Sequence, residues 1–345
     1  MSISRCFRFF IIAMALSFLF HSGCATRDDS SSGDTFPVLT GDYFGQIPPG
    51  KEPELFAPGL ISTCLFTRDV AMTPEGDEIF FTSVVGRYNI TQILHTKRID
   101  GVWTSPEVAS FCGNIDYMDA EPFITPDGKQ LLFLSNRPDT ANGKPANQDI
   151  WAVDRTEDGW SDAYNIGGPV NTDAAEFFPS ITRDGTFYFT RTVGRSSYIF
   201  RSRLIDGGYT EPEKLPEQVN STNQQYNAFI APDESYIIVP TGGREDCLGG
   251  DDYYICFRNT DDTWSEPINM GVPVNSEYGS EHSPYLSPDG KYFFFMSGRM
   301  SEDMVFPNGR ITRDLMLRIH NEPGEILASI YWMDASFIEG LRPGR

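Results

Sequence analysis

Five short apolar runs dominate the hydrophobic pattern: Ile79-Phe80-Phe81, Leu131-Leu132-Phe133-Leu134, Phe187-Tyr188-Phe189, Tyr236-Ile237-Ile238-Val239 and Tyr292-Phe293-Phe294-Phe295. Runs that are short, aromatic and β-branched predict strands buried on both faces. Each follows a turn signal: Thr73-Pro74-Glu75-Gly76, Thr125-Pro126-Asp127-Gly128, Thr182-Arg183-Asp184-Gly185, Ala231-Pro232-Asp233-Glu234 and Ser287-Pro288-Asp289-Gly290. Proline presets φ at the first central position and Asp-Gly tolerates the geometry that follows, so each motif predicts a tight hairpin. The turns lie 52, 57, 49 and 56 residues apart, the spacing of an internal repeat. Arg183 and Glu234 replace the Pro and Gly of the other turns and put those two hairpin geometries in question.

A third strand is predicted at Gln92-Ile93-Leu94, Asp149-Ile150-Trp151, Tyr198-Ile199-Phe200, Tyr253-Tyr254-Ile255 and Ile330-Tyr331-Trp332. A fourth is predicted to begin at Trp103, Trp160, Tyr209 and Trp264, followed by a proline at 106, 212 or 267. The exit also repeats, as Pro169-Val170-Asn171, Gln218-Val219-Asn220 and Pro273-Val274-Asn275. Five four-stranded repeats with no long helix between them predict an all-β fold, a five-bladed β-propeller. The domain covers 54-340, with blades near 66-108, 117-164, 174-214, 224-268 and 279-340. A sixth blade assembled from 36-66 and the C-terminus is the alternative. The last repeat carries about 30 extra residues between Arg299 and Ile330. Helical apolar spacing from Ile311 to His320, stopping at Asn321-Glu322-Pro323-Gly324, predicts a short helical insertion, either a lid over one mouth or a packing cap.

With 48 acidic and 27 basic residues the 345-residue chain has a formal net charge of -21, which argues against nucleic acid as a partner. Arg5 and Arg8 precede a 12-residue apolar stretch from Phe9 to Phe20. That is too short to span a bilayer and the right size for a signal-peptide core. His21-Ser22-Gly23-Cys24 resembles a bacterial lipoprotein box, which implies a signal peptide over 1-23, acylation of Cys24 (a palmitate-type anchor), and a polar tether and N-terminal extension over 24-53. The expected location is the cell envelope, periplasmic or surface side of the outer membrane, with membrane contact through the N-terminal lipid alone. Cleavage after Ala25, leaving a soluble secreted protein, is the alternative. In an oxidising compartment Cys64, Cys112, Cys247 and Cys256 are disulfide candidates in any of three connectivities. No metal-ligand spacing or cofactor motif is present, so neither is expected.

The Ser/Thr-Pro-Asp-Gly turn followed by an aromatic strand resembles the TolB-type, WD-like β-propeller repeat. The likeness covers 54-340, and the layout from Phe56-Ala57-Pro58-Gly59 to Ile330-Tyr331-Trp332-Met333-Asp334-Ala335 is similar to a group of uncharacterised bacterial propeller lipoproteins. The resemblance implies fold strongly and activity hardly at all.

Aligning the repeats on the turn gives two polar columns. Thr67, Asp119, Glu176, Gln225 and Glu281 stand six residues before it, and Asp69, Glu121, Phe178, Asn227 and Ser283 stand two residues later. Positions two apart in a strand share a face, so both columns are expected to line the channel near one mouth. Arginines follow each second strand, at Arg87, Arg137, Arg195, Arg244 and Arg299. They either pair with the acids between adjacent blades or stay free to hold an anionic ligand. Two functions follow. The first is an envelope binding or scaffolding module for a glycan, peptide or protein partner. The second is a carbohydrate-active enzyme, a polysaccharide lyase or glycosidase acting on anionic glycans, with His282, Tyr278 and Glu281 as the catalytic candidates.

Overall fold

The computed structural model describes residues 36–138, 147–277, 279–300, 306, 309–325 and 328–344. The expected signal segment, Cys24 and Tyr278 lie outside the described residues.

The turn-preceding strands Phe66–Met72, Asp119–Ile124, Glu176–Ile181, Phe229–Ile230 and Glu281–Leu286 are innermost, and they touch one another around a common axis. Each pairs antiparallel with the apolar second strand beyond the turn: Glu78–Val85, Gln130–Ser135, Phe187–Val193, Tyr236–Gly242 and Tyr292–Ser297. The third strands follow outside these. Phe80, Phe133, Phe189, Ile238 and Phe294 are all within 1% of full burial, as expected for strands covered on both faces. The fold is a five-bladed propeller.

The fourth strands lie later than the sequence pattern predicted. Val102–Trp103, Gly159–Trp160 and Gly208–Tyr209 fold back as short hairpins on the chain just before them, and Trp264 makes an isolated bridge to Arg258. Pro106, Pro212 and Pro267 lack the N–H that such a hairpin would need, so the chain leaves for the sheet edge. There Glu107–Val108, Tyr164–Asn165, Glu213–Lys214 and Ile268–Asn269 form the outermost strands. The Val-Asn exit then latches each blade. Asn171, Asn220 and Asn275 each accept from and donate to one main-chain unit of the third strand: Ile150, Ile199 and Tyr253 respectively, at 2.7–3.1 Å. A side-chain amide thereby satisfies the N–H that a two-residue edge strand leaves unpaired, and adds a second donor to a carbonyl that already accepts from the main-chain N–H of Ile166, Leu215 or Met270.

Residues 36-66 do not form a sixth blade. Glu54–Leu55 is the outermost strand of the last blade, pairing Glu54 with Trp332 and Leu55 with Tyr331, so the two ends of the domain close the ring in one sheet. The preceding segment straps blade five to blade one on the turn side. Leu39 O accepts from Trp103 N at 2.9 Å and Gly41 O from Trp103 Nε1 at 2.8 Å. Phe44 packs on Trp103 at 4.5 Å, and Phe56 packs on Phe294 at 4.9 Å.

Both irregular turns keep the common shape. Glu234 adopts φ 62°, close to the 67–89° of the glycines it replaces, a conformation costing roughly 1 kcal/mol in a residue with a Cβ. Its carboxylate offsets this by meeting the Tyr188 hydroxyl and the Arg258 guanidinium. Arg183 donates its main-chain N–H to Pro232 O at 2.8 Å, a bond to the next blade's turn that proline could not make.

No disulfide joins the described cysteines. Cys247 Sγ lies 3.5 Å from the Tyr254 hydroxyl, Cys256 Sγ donates to Gln218 O at 3.3 Å, and Cys112 is packed at the edge of another blade's core. The disulfide expectation is therefore corrected: none of Cys64, Cys112, Cys247 and Cys256 is in a disulfide. The helical insertion is present as α1 (Arg313–Asn321), capped by Thr312 Oγ1 accepting from Leu315 N.

Candidate functional site

The second polar column sits on a bulge. Asp69, Glu121, Phe178, Asn227 and Ser283 all adopt left-handed φ between 51° and 59°, and the ladder register shifts around them. A bulge adds a residue and re-aims the side chains beside it. These five close the pore as a ring. Arg68 Nε donates to Asp69 Oδ1 at 2.9 Å, and Arg68 Nη2 donates to Glu121 Oε1 at 2.7 Å and to Ser283 Oγ at 3.3 Å. Ser283 Oγ also meets Asp69 Oδ1, and Asn227 Nδ2 donates to Glu121 Oε1 at 3.3 Å. Thus blades one, two, four and five meet in a single network across the axis.

Two carboxylates share one guanidinium in this ring. Burial pushes the Glu121 carboxyl up to about 7 against the opposing pull of Arg68, and neighbouring Asp69 adds to the rise. Arg68 remains charged because both acids hold it so.

Above the ring is a cavity of about 300 Å³. Its walls come chiefly from the position between the two columns, held by Arg68, Ala120, Phe177, Tyr226 and His282, together with Tyr88 and Gln148. Sequence alignment missed this middle column because regular alternation would turn it away from the channel, whereas the bulge reverses the parity. The Tyr226 and His282 rings stack at 4.9 Å and 20°. His282 Nε2 is 3.8 Å from Asp251 Oδ2, yet burial and the Arg68 charge push its imidazole down to about 3, so it stays neutral. Burial, and next the hydrogen bond to Asp251, raise the Tyr226 phenol well above its ordinary value.

The first column is placed differently from the expectation. Asp119, Glu176 and Glu281 are fully buried and are not among the cavity walls. Arg137 Nη2 reaches Asp119 Oδ1 at 2.7 Å and Phe111 O at 3.1 Å. Arg299 spans Ser297 Oγ and the carbonyls of Pro273 and Val274 at 2.6–3.1 Å, beside Glu281. In blade three Arg191 takes this place and Arg195 does not: Arg191 Nε is 2.6 Å from Glu176 Oε1, and its Nη2 donates to Val170 O at 2.8 Å. These clamps join an acid of the same blade to the linker arriving from the previous blade, rather than acids to arginines across blades. Arg87 and Arg195 are exposed on the hairpins, and Arg244 pairs with Asp246 at 2.9 Å over the Tyr254 ring. Glu281 Oε1 accepts from Ser276 and Ser297 at 2.7 and 3.0 Å while Oε2 has no partner among the described residues, and burial pushes its carboxyl up to about 7.

Fold and site together define a five-bladed propeller with a polar mouth closed at its base by a hydrogen-bonded ring. Neither a family model nor a curated protein matches the chain. Among solved structures it is similar to a candidate TolB from Agrobacterium tumefaciens (15% identity, 70% of this chain and 73% of that one, TM-score 0.42). It is also similar to a puromycin-hydrolyzing peptidase from Mycobacterium tuberculosis (11%, 71% and 36%, 0.41). A third is the GH43 protein BlXynB from Bacillus licheniformis (11%, 71% and 51%, 0.42). The chain thus spans about a third of the peptidase and half of the GH43 protein. At these identities and scores the likenesses say nothing about activity.

Proposed function

We propose that the protein is a binding or scaffolding module of the bacterial cell envelope whose propeller mouth takes part of a glycan, peptide or protein partner. The observation that carries this reading is the cavity itself: concave, walled by aromatic rings and amides, and closed at its base by a network whose charged groups already hold one another. Catalysis is less well served. A neutral histidine whose conjugate acid titrates near 3 is a poor general base at neutral pH. Arg68, the cavity's cation, is occupied by two carboxylates and so is poorly placed to neutralise a uronate.

The chain arrives on the turn side, where the strap lies, and the cavity opens at the other end of the innermost strands. An acylated Cys24 would therefore hold the turn face toward the membrane and leave the mouth free. The test is a thermal-shift screen of envelope glycans and peptides on parent and His282→Ala protein, alongside turnover of anionic polysaccharide digests. A ligand that shifts melting without being consumed supports the binding reading. Turnover that His282→Ala abolishes would replace it with the enzyme.

A further inference from the structure

We infer that the moiety seated in the mouth is an uncharged, hydroxyl-bearing ring, a neutral pyranose unit of a glycan. This rests on the binding reading and narrows it. The cavity of about 300 Å³ lies at the small end of ligand sites, which run from about 300 to 1,000 Å³. It suits a single ring better than a folded peptide segment.

The walls supply two kinds of surface. Tyr226, braced flat against His282, and nearby Tyr88 and Phe177 offer apolar ring surface, which matches the C–H face of a pyranose. Between them are polar groups with capacity to spare. Among the described residues, Gln148 Nε2 makes only a long contact to the Met118 sulfur at 3.8 Å, and buried Thr91 Oγ1 has no partner. Arg68 Nη1 donates to the Tyr88 hydroxyl at 3.3 Å and carries a second N–H. The amide and the hydroxyl can donate to and accept from sugar hydroxyls, which themselves do both, and the guanidinium edge can donate to them.

Charge argues against the alternatives. An anion would meet an arginine already matched by Asp69 and Glu121, with Asp251 behind His282, on a protein of net charge -21. A cation would find both Glu121 oxygens occupied, Oε1 by Arg68 and Asn227 and Oε2 by the Phe178 N–H. Hydroxyl groups fit beside a ring whose charges pair with one another without demanding that any pair be broken; Asp69 Oδ2, a ring oxygen with no partner among the described residues, is not among the cavity walls.

The experiment is calorimetric titration of the full chain with neutral gluco-, galacto- and mannopyranosyl oligosaccharides, with oligogalacturonate, with chitosan oligomers and with short peptides. Each is measured at about 10 mM and 150 mM salt, between which the Debye length falls from about 30 Å to about 8 Å. Binding is expected from a neutral oligosaccharide, with affinity nearly independent of salt. Gln148→Ala should weaken it about tenfold, the loss of one hydrogen bond in a site shielded from water. Tyr226→Ala should remove it, and Tyr226→Phe, which keeps the ring and loses the hydroxyl bonded to Asp251, should retain binding with a lowered melting temperature. Should Tyr226→Ala fail to fold, Gln148→Ala and the salt series still decide. Preference for the uronate, the aminoglycan or a peptide, with a steep salt dependence, overturns the sugar assignment and leaves the binding reading standing. Absence of binding by every probe overturns both.

Discussion

The main-chain N–H of Phe178 donates to Glu121 Oε2 at 2.8 Å, and residue 134 explains why. At two of the other bulges a hydroxyl from the preceding blade's second strand does this work: Thr82 Oγ1 accepts from Glu121 N at 3.1 Å and Thr190 Oγ1 accepts from Asn227 N at 3.0 Å. In blade two the corresponding residue is Leu134, which faces Ala120 as Thr82 faces Arg68. Glu121 thus satisfies a backbone donor that leucine cannot. One of its oxygens builds the ring and the other seals a blade junction.

Replacing Glu121 by alanine should therefore leave the Phe178 N–H unpaired and Arg68 held by Asp69 alone inside the protein. Breaking a buried ion pair from one side typically costs about 3–5 kcal/mol. Leu134→Thr restores a hydroxyl to the junction, so the double variant should regain roughly 1 kcal/mol over Glu121→Ala alone. Denaturant midpoints of the two variants check this, and additive effects would disprove the shared donor.

Glu281 sets a pH dependence whose sign is unusual for a carboxylate. Its folded value of about 7 exceeds the ordinary 4.5 because burial outweighs its serine donors and Arg299. The folded state therefore keeps a proton that the unfolded chain releases, and stability falls as pH rises from about 4.5 to 7. At most about 3 kcal/mol is involved. Glu121 titrates in the same window and burial also raises Glu176, so Glu281→Gln, which mimics the protonated acid, should flatten part of the slope and melt higher than the parent above pH 7. Melting temperatures that rise through this window would rule the assignment out.

Ring closure depends on the strand Glu54–Leu55 and on Phe56, which is fully buried against Phe44, Phe294 and Trp332. Phe56→Ala removes a ring from the core that joins the two ends of the domain, at a cost of about 3–5 kcal/mol. Because the last blade lacks its outer edge without this segment, unfolding by fluorescence of Trp332 and Trp103 should remain one cooperative transition at a lower midpoint. An early, separate loss of one tryptophan signal would show that the closure is dispensable.

What the sequence made legible was local. The turn motifs, the aromatic second strands and the Val-Asn exits each specify their structure within a few residues, and together they yielded the blade count. The bulge was not legible. Asp69, Glu121, Phe178, Asn227 and Ser283 share no side-chain type that betrays a left-handed backbone, yet it decides that Arg68, Tyr226 and His282, rather than Asp119, Glu176 and Glu281, face the cavity. The closing strand was hidden for another reason: two residues carry no alternation to read. The arginines were visible, but not the carbonyls of Phe111, Val170 and Val274 that claim them, because those contacts depend on how successive blades pack.

The two irregular turns give the last test, since each trades a favoured turn residue for a tertiary contact. Glu234→Gly relieves a left-handed backbone worth roughly 1 kcal/mol but strips the carboxylate from Tyr188 and Arg258 in a mostly buried network that also reaches Arg201. Leaving buried donors unsatisfied costs about 1–3 kcal/mol, so the variant should be net destabilised despite its better turn. Arg183→Pro regains the preferred φ and loses the 2.8 Å bond to Pro232 O, two terms of similar size. It should change stability by less than about 1 kcal/mol. The pair is informative when measured together, by chemical denaturation at one pH. If Glu234→Gly stabilises, the contact around Tyr188 is worth less than the backbone strain, and the departure from glycine at 234 has no energetic basis in this fold.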